Sequence, residues 1–117
     1  MRNFKQLVIW KRSHALTLKV YTLTKSYFPA EELYGLTSQI RRSCASVPTN
    51  IAEGCGRNTN PDFKRFLIIS SGSCSELEYQ LLLAHDLGYI SETLFSELNH
   101  EVVEIRKMIY SYVSSLG

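Results

Sequence analysis

Glu97 and His100 stand three residues apart, the Glu-x-x-His spacing with which helix bundles hold iron or manganese. Such a centre needs a second pair of the same kind and further carboxylates, all projecting inward. Leu98 and Val102 mark the core side of the same stretch, so Glu97 and His100 are expected on the solvent side. The three cysteines, Cys44, Cys55 and Cys74, have no paired-ligand spacing. On apolar helical stretches, an odd number reads as reduced core thiols that pack as small hydrophobes. His14 and His85 have no fixed relation to them, and neither a glycine-rich phosphate loop nor a Ser-His-Asp arrangement is legible. No catalytic residue, metal or cofactor is assigned.

Phosphate neutralisation is the chemistry left open. Lys11, Arg12, Lys19 and Lys25 are followed by Arg41, Arg42, Arg57, Lys64 and Arg65, and a protein surface built from such residues attracts RNA or DNA without reading sequence. Up to Arg65 there are eleven basic residues against four acidic ones, a net of +7; beyond it there are two against seven, a net of −5. This division suits a basic surface for nucleic acid, and it equally suits opposite faces of neighbouring subunits.

Stepping along the stretch Gln39 to Arg57, two stripes share one helix. Leu36, Ile40, Cys44, Val47 and Ile51 form the apolar one. Gln39, Arg42, Ser46, Asn50, Glu53 and Arg57 recur at steps of three or four beside it. A polar stripe flanking a core stripe belongs at a helix–helix or subunit seam, where amides, carboxylates and guanidiniums find partners. On the following helix, Ser73 and Glu76 extend the seam. Residues whose numbers sum to about 118 are expected at one level if the two helices are antiparallel, which pairs Arg42 with Glu76 and Glu53 with Arg65. Ser46 then faces Gly72, in the small run Ser70 to Ser73 where backbones can approach.

Four helices position these residues. The first is predicted from about Ile9 to Phe28, closed by Pro29. The second is predicted from Leu36 to Arg57, kinked or interrupted by Pro48 and loosened at its end by Gly54 and Gly56. Asn60 is expected to cap the third, with Pro61 in its first turn and Gly88 at its stop. Ser91 is expected to cap the fourth, with Phe95, Leu98, Val102, Ile105, Ile109, Tyr112 and Leu116 facing inward. Short links predict an all-α, antiparallel up-and-down four-helix bundle, a single domain over residues 1–117, with 44% hydrophobic residues for one core. The broad apolar coverage of the first helix predicts a homo-oligomer. No apolar run reaches the roughly 20 residues of a membrane span, and the N-terminus has no secretory signal, so a cytoplasmic location without membrane contact is expected.

The segments Tyr34 to Arg57 (YGLTSQIRRSCASVPTNIAEGCGR) and Phe63 to Leu81 (FKRFLIISSGSCSELEYQL) closely resemble the four-helix-bundle family encoded by intervening sequences within bacterial 23S ribosomal RNA genes. Phe4 to Trp10, the turn from Tyr27 to Glu32, and Leu87 to Ile90 fit as well. The combination of Asn50-Ile51-Ala52-Glu53-Gly54 with Gly72-Ser73 to Glu76-Leu77 is specific. The resemblance implies a non-enzymatic homo-oligomer, a pentamer of bundles. It extends to the accessory variability protein of diversity-generating retroelements, which implies RNA or DNA and a reverse transcriptase as partners. By matching positions it makes Arg41, Arg42, Arg57, Lys64 and Arg65 candidate contacts and leaves Asn50 and Glu53 as framework.

Overall fold

In the computed structural model, which describes residues 2–117, helix α1 runs from Val8 to Tyr27. A 3-10 turn at Phe4–Gln6 leads into it, with the Asn3 side chain accepting the Lys5 N–H at 3.1 Å. Pro29 disfavours helical geometry in the residue before it, and α1 stops at an extended Phe28. A second 3-10 turn, Ala30–Glu32, leads to α2, Leu36–Cys55. Gly35 has no side chain with which to cap α2. Glu32 supplies the cap instead, its Oε1 accepting the Leu36 N–H at 3.0 Å.

Helix α2 ends two residues before the predicted Arg57, because the Gly56 N–H turns back to the Glu53 carbonyl at 3.1 Å and the Arg57 N–H to that of Gly54 at 3.0 Å. Helix α3 spans Asn60–Asp86, and its cap is Thr59, not the predicted Asn60. Thr59 Oγ1 accepts the Asp62 N–H at 3.3 Å, whereas Asn60 Oδ1 accepts from Arg2 at 2.9 Å. The stop is the predicted one: Gly88 has φ +82°, and the Gly88 and Tyr89 N–H groups close back on His85 and Ala84, both at 2.9 Å. Helix α4, Glu92–Ser115, begins with Ser91 Oγ accepting the Leu94 N–H at 3.1 Å. There is no strand among the described residues.

The apolar stripes meet in one core. Ile40, Cys44, Val47 and Ile51 of α2 pack with Val20, Phe63, Leu77, Leu81, Val102 and Ile109, all buried. Of the apolar residues on α1, Leu16, Val20 and Leu23 are buried, while Leu18, Tyr21 and Tyr27 are exposed.

Pro48 lies within α2, which continues through it uninterrupted. Proline has no N–H, so the Cys44 carbonyl loses its helical donor. Thr17 of α1 reaches that carbonyl, Oγ1 to O at 3.3 Å, while also bonding the Ser13 carbonyl at 2.8 Å. A neighbouring helix therefore satisfies the group that the proline leaves open.

The glycines divide differently from the sequence expectation. Gly54, expected to loosen the end of α2, is buried inside the helix, and a Cβ there would lie 3.0 Å from both Phe63 Cδ1 and Phe66 Cβ. This is where α2 and α3 approach most closely around a glycine. Gly72, expected against Ser46, faces open space.

Candidate nucleic-acid interface

The nine basic candidates fall into three groups. Lys11, Lys19 and Lys25 are exposed on α1 and make no ion pair among the described residues. Lys11 and Lys25, fourteen residues apart, are separated by about 21 Å of helix. Arg12 is different. Its guanidinium donates twice to Glu101 of α4, Nε to Oε2 at 3.1 Å and Nη2 to Oε1 at 2.5 Å, and contacts Met108 Sδ. Sequence distance hid this pairing, since the partners are 89 residues apart.

The arginines of α2 and the next turn are mostly held in place. Arg41 Nε donates to Thr24 Oγ1 at 2.8 Å and lies 4.7 Å from the Tyr21 ring centroid. Arg42 is exposed and makes no ion pair among the described residues. At the α2–α3 turn, Arg57 and Arg65 lie over one ring, Phe66, at 4.7 and 4.4 Å, and both approach Asp62. Arg2 lies 4.1 Å over Phe63 beside them, with Lys64 half-buried on the same helix. The two phenylalanines thus act as platforms that orient three guanidiniums. In the sequence, the arginine directly before Phe66 is the one visible sign of this arrangement.

The polar seam forms in part. Ser46 and Ser73 hydroxyls are 2.8 Å apart, and Asn50 Nδ2 donates to the Ser46 carbonyl and hydroxyl at 2.8 and 2.9 Å. Deeper in, the unforeseen pair Ser43 and Gln80 meets at 2.5 Å, and Ser70 Oγ donates to the Val47 carbonyl at 2.8 Å. The predicted charge pairs do not form. Glu53 takes Arg57, one turn away on its own chain segment, at 2.9 Å, and Arg65 takes Asp62 at 3.0 Å. Local partners three or four residues off require less ordering of long side chains than a cross-helix partner does. Arg42 and Glu76 are both exposed and line an open polar groove with Gln39, Ser43 and Ser46. Glu53 faces a second groove, between α1 and α2, beside the stacked rings of Trp10 and His14 at 4.9 Å.

Other titratable groups are structural in their contacts. Burial pushes the Cys44 thiol up to about 11 and Cys74 up to about 12, and raises Cys55, so all three stay protonated at neutral pH. Glu97 and His100 are exposed on α4. Tyr89 donates its hydroxyl to Glu32 Oε2 at 2.8 Å, joining the turn before α2 to the turn before α4.

Acid should loosen the α1–α4 contact. The hydrogen bond from Arg12, followed by the charges of Arg12, Lys19 and His100, holds the Glu101 carboxyl below its usual range. The Leu36 N–H and the Tyr89 hydroxyl do the same for Glu32. Folded values below unfolded ones mean stability that is present above the ordinary glutamate pKa of about 4.3 and lost as pH falls through the depressed value. Thermal melts from about pH 6 to pH 3 should therefore show a falling midpoint, and the fall should be smaller in Glu101→Gln; equal falls would contradict the assignment.

The sequence profile described as 23S rRNA-intervening sequence protein matches residues 5–111. A solved structure of a protein of unknown function from the S23 ribosomal protein family of Bacteroides thetaiotaomicron superposes with a TM-score of 0.84, at 26% identity, over 91% of this chain and 98% of that one. Over 108 residues the chain is also 32% identical to part of the serine/threonine-protein kinase ATM of Drosophila melanogaster, covering 92% of this chain but 3% of that protein. Neither the family description nor that of the solved relative names an enzymatic activity.

Proposed function

We propose, from the premise that this chain belongs to the 23S rRNA-intervening sequence protein family, that it is a non-enzymatic, oligomeric adaptor that binds RNA or DNA through a basic surface. In this reading, residues 1–117 form one antiparallel up-and-down bundle, with α2 kinked near Pro48, and five copies assemble. The contacts Ser43–Gln80, Ser46–Ser73 and Val47–Ser70, whose numbers run in opposite senses, support the antiparallel order of α2 and α3.

The observation that carries nucleic-acid binding is the row of exposed lysines on α1. Lys11, Lys19 and Lys25 are solvated and without ion pairs among the described residues, so their charge is available to phosphates, while Arg12 is committed to Glu101. Assembly multiplies such a surface. Arg2, Arg57 and Arg65, fixed over Phe63 and Phe66, form a second candidate contact at the α2–α3 turn.

Binding to duplex DNA should be sequence-tolerant, with log affinity falling linearly in log salt by roughly 0.9 per phosphate neutralised. Charge reversal of Lys11, Lys19 and Lys25 together should abolish retardation in a gel-shift titration at about 50 mM salt and leave the oligomer mass unchanged. Absence of any retardation of RNA or DNA by the unaltered protein would leave a protein–protein interaction module as the surviving reading.

A further inference from the structure

The seam between α2 and α3 is recessed where its residues are short. Serine hydroxyls cannot fill the space between two helices as leucine or phenylalanine does, and Ser43 and Ser46 floor a hollow of about 430 Å³. Longer side chains stand around it: Gln39 and Arg42 from α2, Glu76 from α3. The floor is held by its own hydrogen bonds, Ser46 with Ser73 and Asn50, and Ser43 with Gln80.

The charges on this hollow are not satisfied within the chain. Arg12, Arg57, Arg65 and Arg106 each hold a carboxylate, whereas Arg42 and Glu76 line one groove from two helices and make no ion pair among the described residues. Deeper in, Gln80 is 5% exposed, and its Oε1 takes the Ser43 hydroxyl. Its amide nitrogen has no hydrogen-bond partner among the described residues and is not sealed from solvent, so two N–H groups remain available beside the floor. A polar side chain buried to this depth ordinarily has both ends of its amide bonded.

We infer that the hollow binds a free polar α-amino acid. A simple anion would be attracted by Arg42 and repelled by Glu76, and a simple cation the reverse, so a molecule carrying both charges suits the pair. Arg42 offers a planar fork to a carboxylate, and Glu76 accepts from an ammonium group. The Gln39 and Gln80 amides are left for the polar end of the ligand. No aromatic side chain lines the hollow, which removes the stacking surface that a nucleobase requires, and its hydroxyl floor does not suit an apolar group. The site is separate from the α1 lysines and does not depend on nucleic-acid binding.

The test is a thermal-shift screen of the full chain against the common L-amino acids, each at about 10 mM, followed by calorimetric titration of those that raise the midpoint. At least one polar amino acid should bind, and its N-acetyl and α-carboxamide derivatives, which lack one charge each, should not. Arg42→Gln and Glu76→Gln should each weaken binding at least about tenfold. Both side chains are exposed and unpaired within the chain, so melting without ligand and molar mass by light scattering should stay unchanged in these variants. A screen in which no amino acid raises the midpoint overturns the inference. So does binding that survives both substitutions, or an N-acetyl derivative that binds as tightly as its parent. A change of molar mass in either variant also overturns it, because the two charges would then serve a neighbouring subunit.

Discussion

Phe63→Ala should lower the stability of this protein by about 3–5 kcal/mol, a large share of the roughly 5–15 kcal/mol that holds a domain of this size together. Phe63 is fully buried at the first turn of α3. Its ring meets Tyr112 of α4 edge-on at 5.7 Å, packs where Gly54 leaves room on α2, and carries the Arg2 guanidinium 4.1 Å above it. Truncation removes contacts to two helices and the N-terminal segment at once. Urea unfolding at fixed protein concentration should show a lower midpoint with an unchanged slope. A loss below about 1 kcal/mol would mean that the site repacks and that Phe63 does not organise this end of the bundle.

Ser43→Ala should cost about 1–3 kcal/mol, although it removes one oxygen atom, because it leaves the Gln80 amide without its partner in the core. Both residues are at least nine-tenths buried, and their side chains meet at 2.5 Å. The reverse change is not equivalent. In Gln80→Leu, Ser43 keeps an alternative partner in the Ile40 carbonyl at 3.2 Å, so this variant should lie much closer to the natural protein. The double variant should then be more stable than Ser43→Ala alone, a non-additivity that a double-mutant cycle reads directly. Additive losses would show that the two groups do not act as a pair.

Much of the fold was legible in the chain. The core stripe Ile40, Cys44, Val47 and Ile51, the stop at Gly88 and the cap at Ser91 all depend on neighbours within a few residues. Periodicity and capping are local rules, so the sequence determined four helices and their buried faces, with the start of α3 displaced by one residue because Thr59 and Asn60 are both competent caps. The basic and polar candidates were legible as types and not as partners. Whether Arg12 is free for phosphate or bound to Glu101, and whether Glu53 meets Arg65 or Arg57, depends on small rotations about helix axes and on the reach of flexible side chains. Gly54 and Gly72 show the same division. Both are helical glycines in the sequence, but only packing decided that Phe63 and Phe66 close over Gly54 while no side chain closes over Gly72, because what a residue meets in a bundle is set by elements that lie far along the chain.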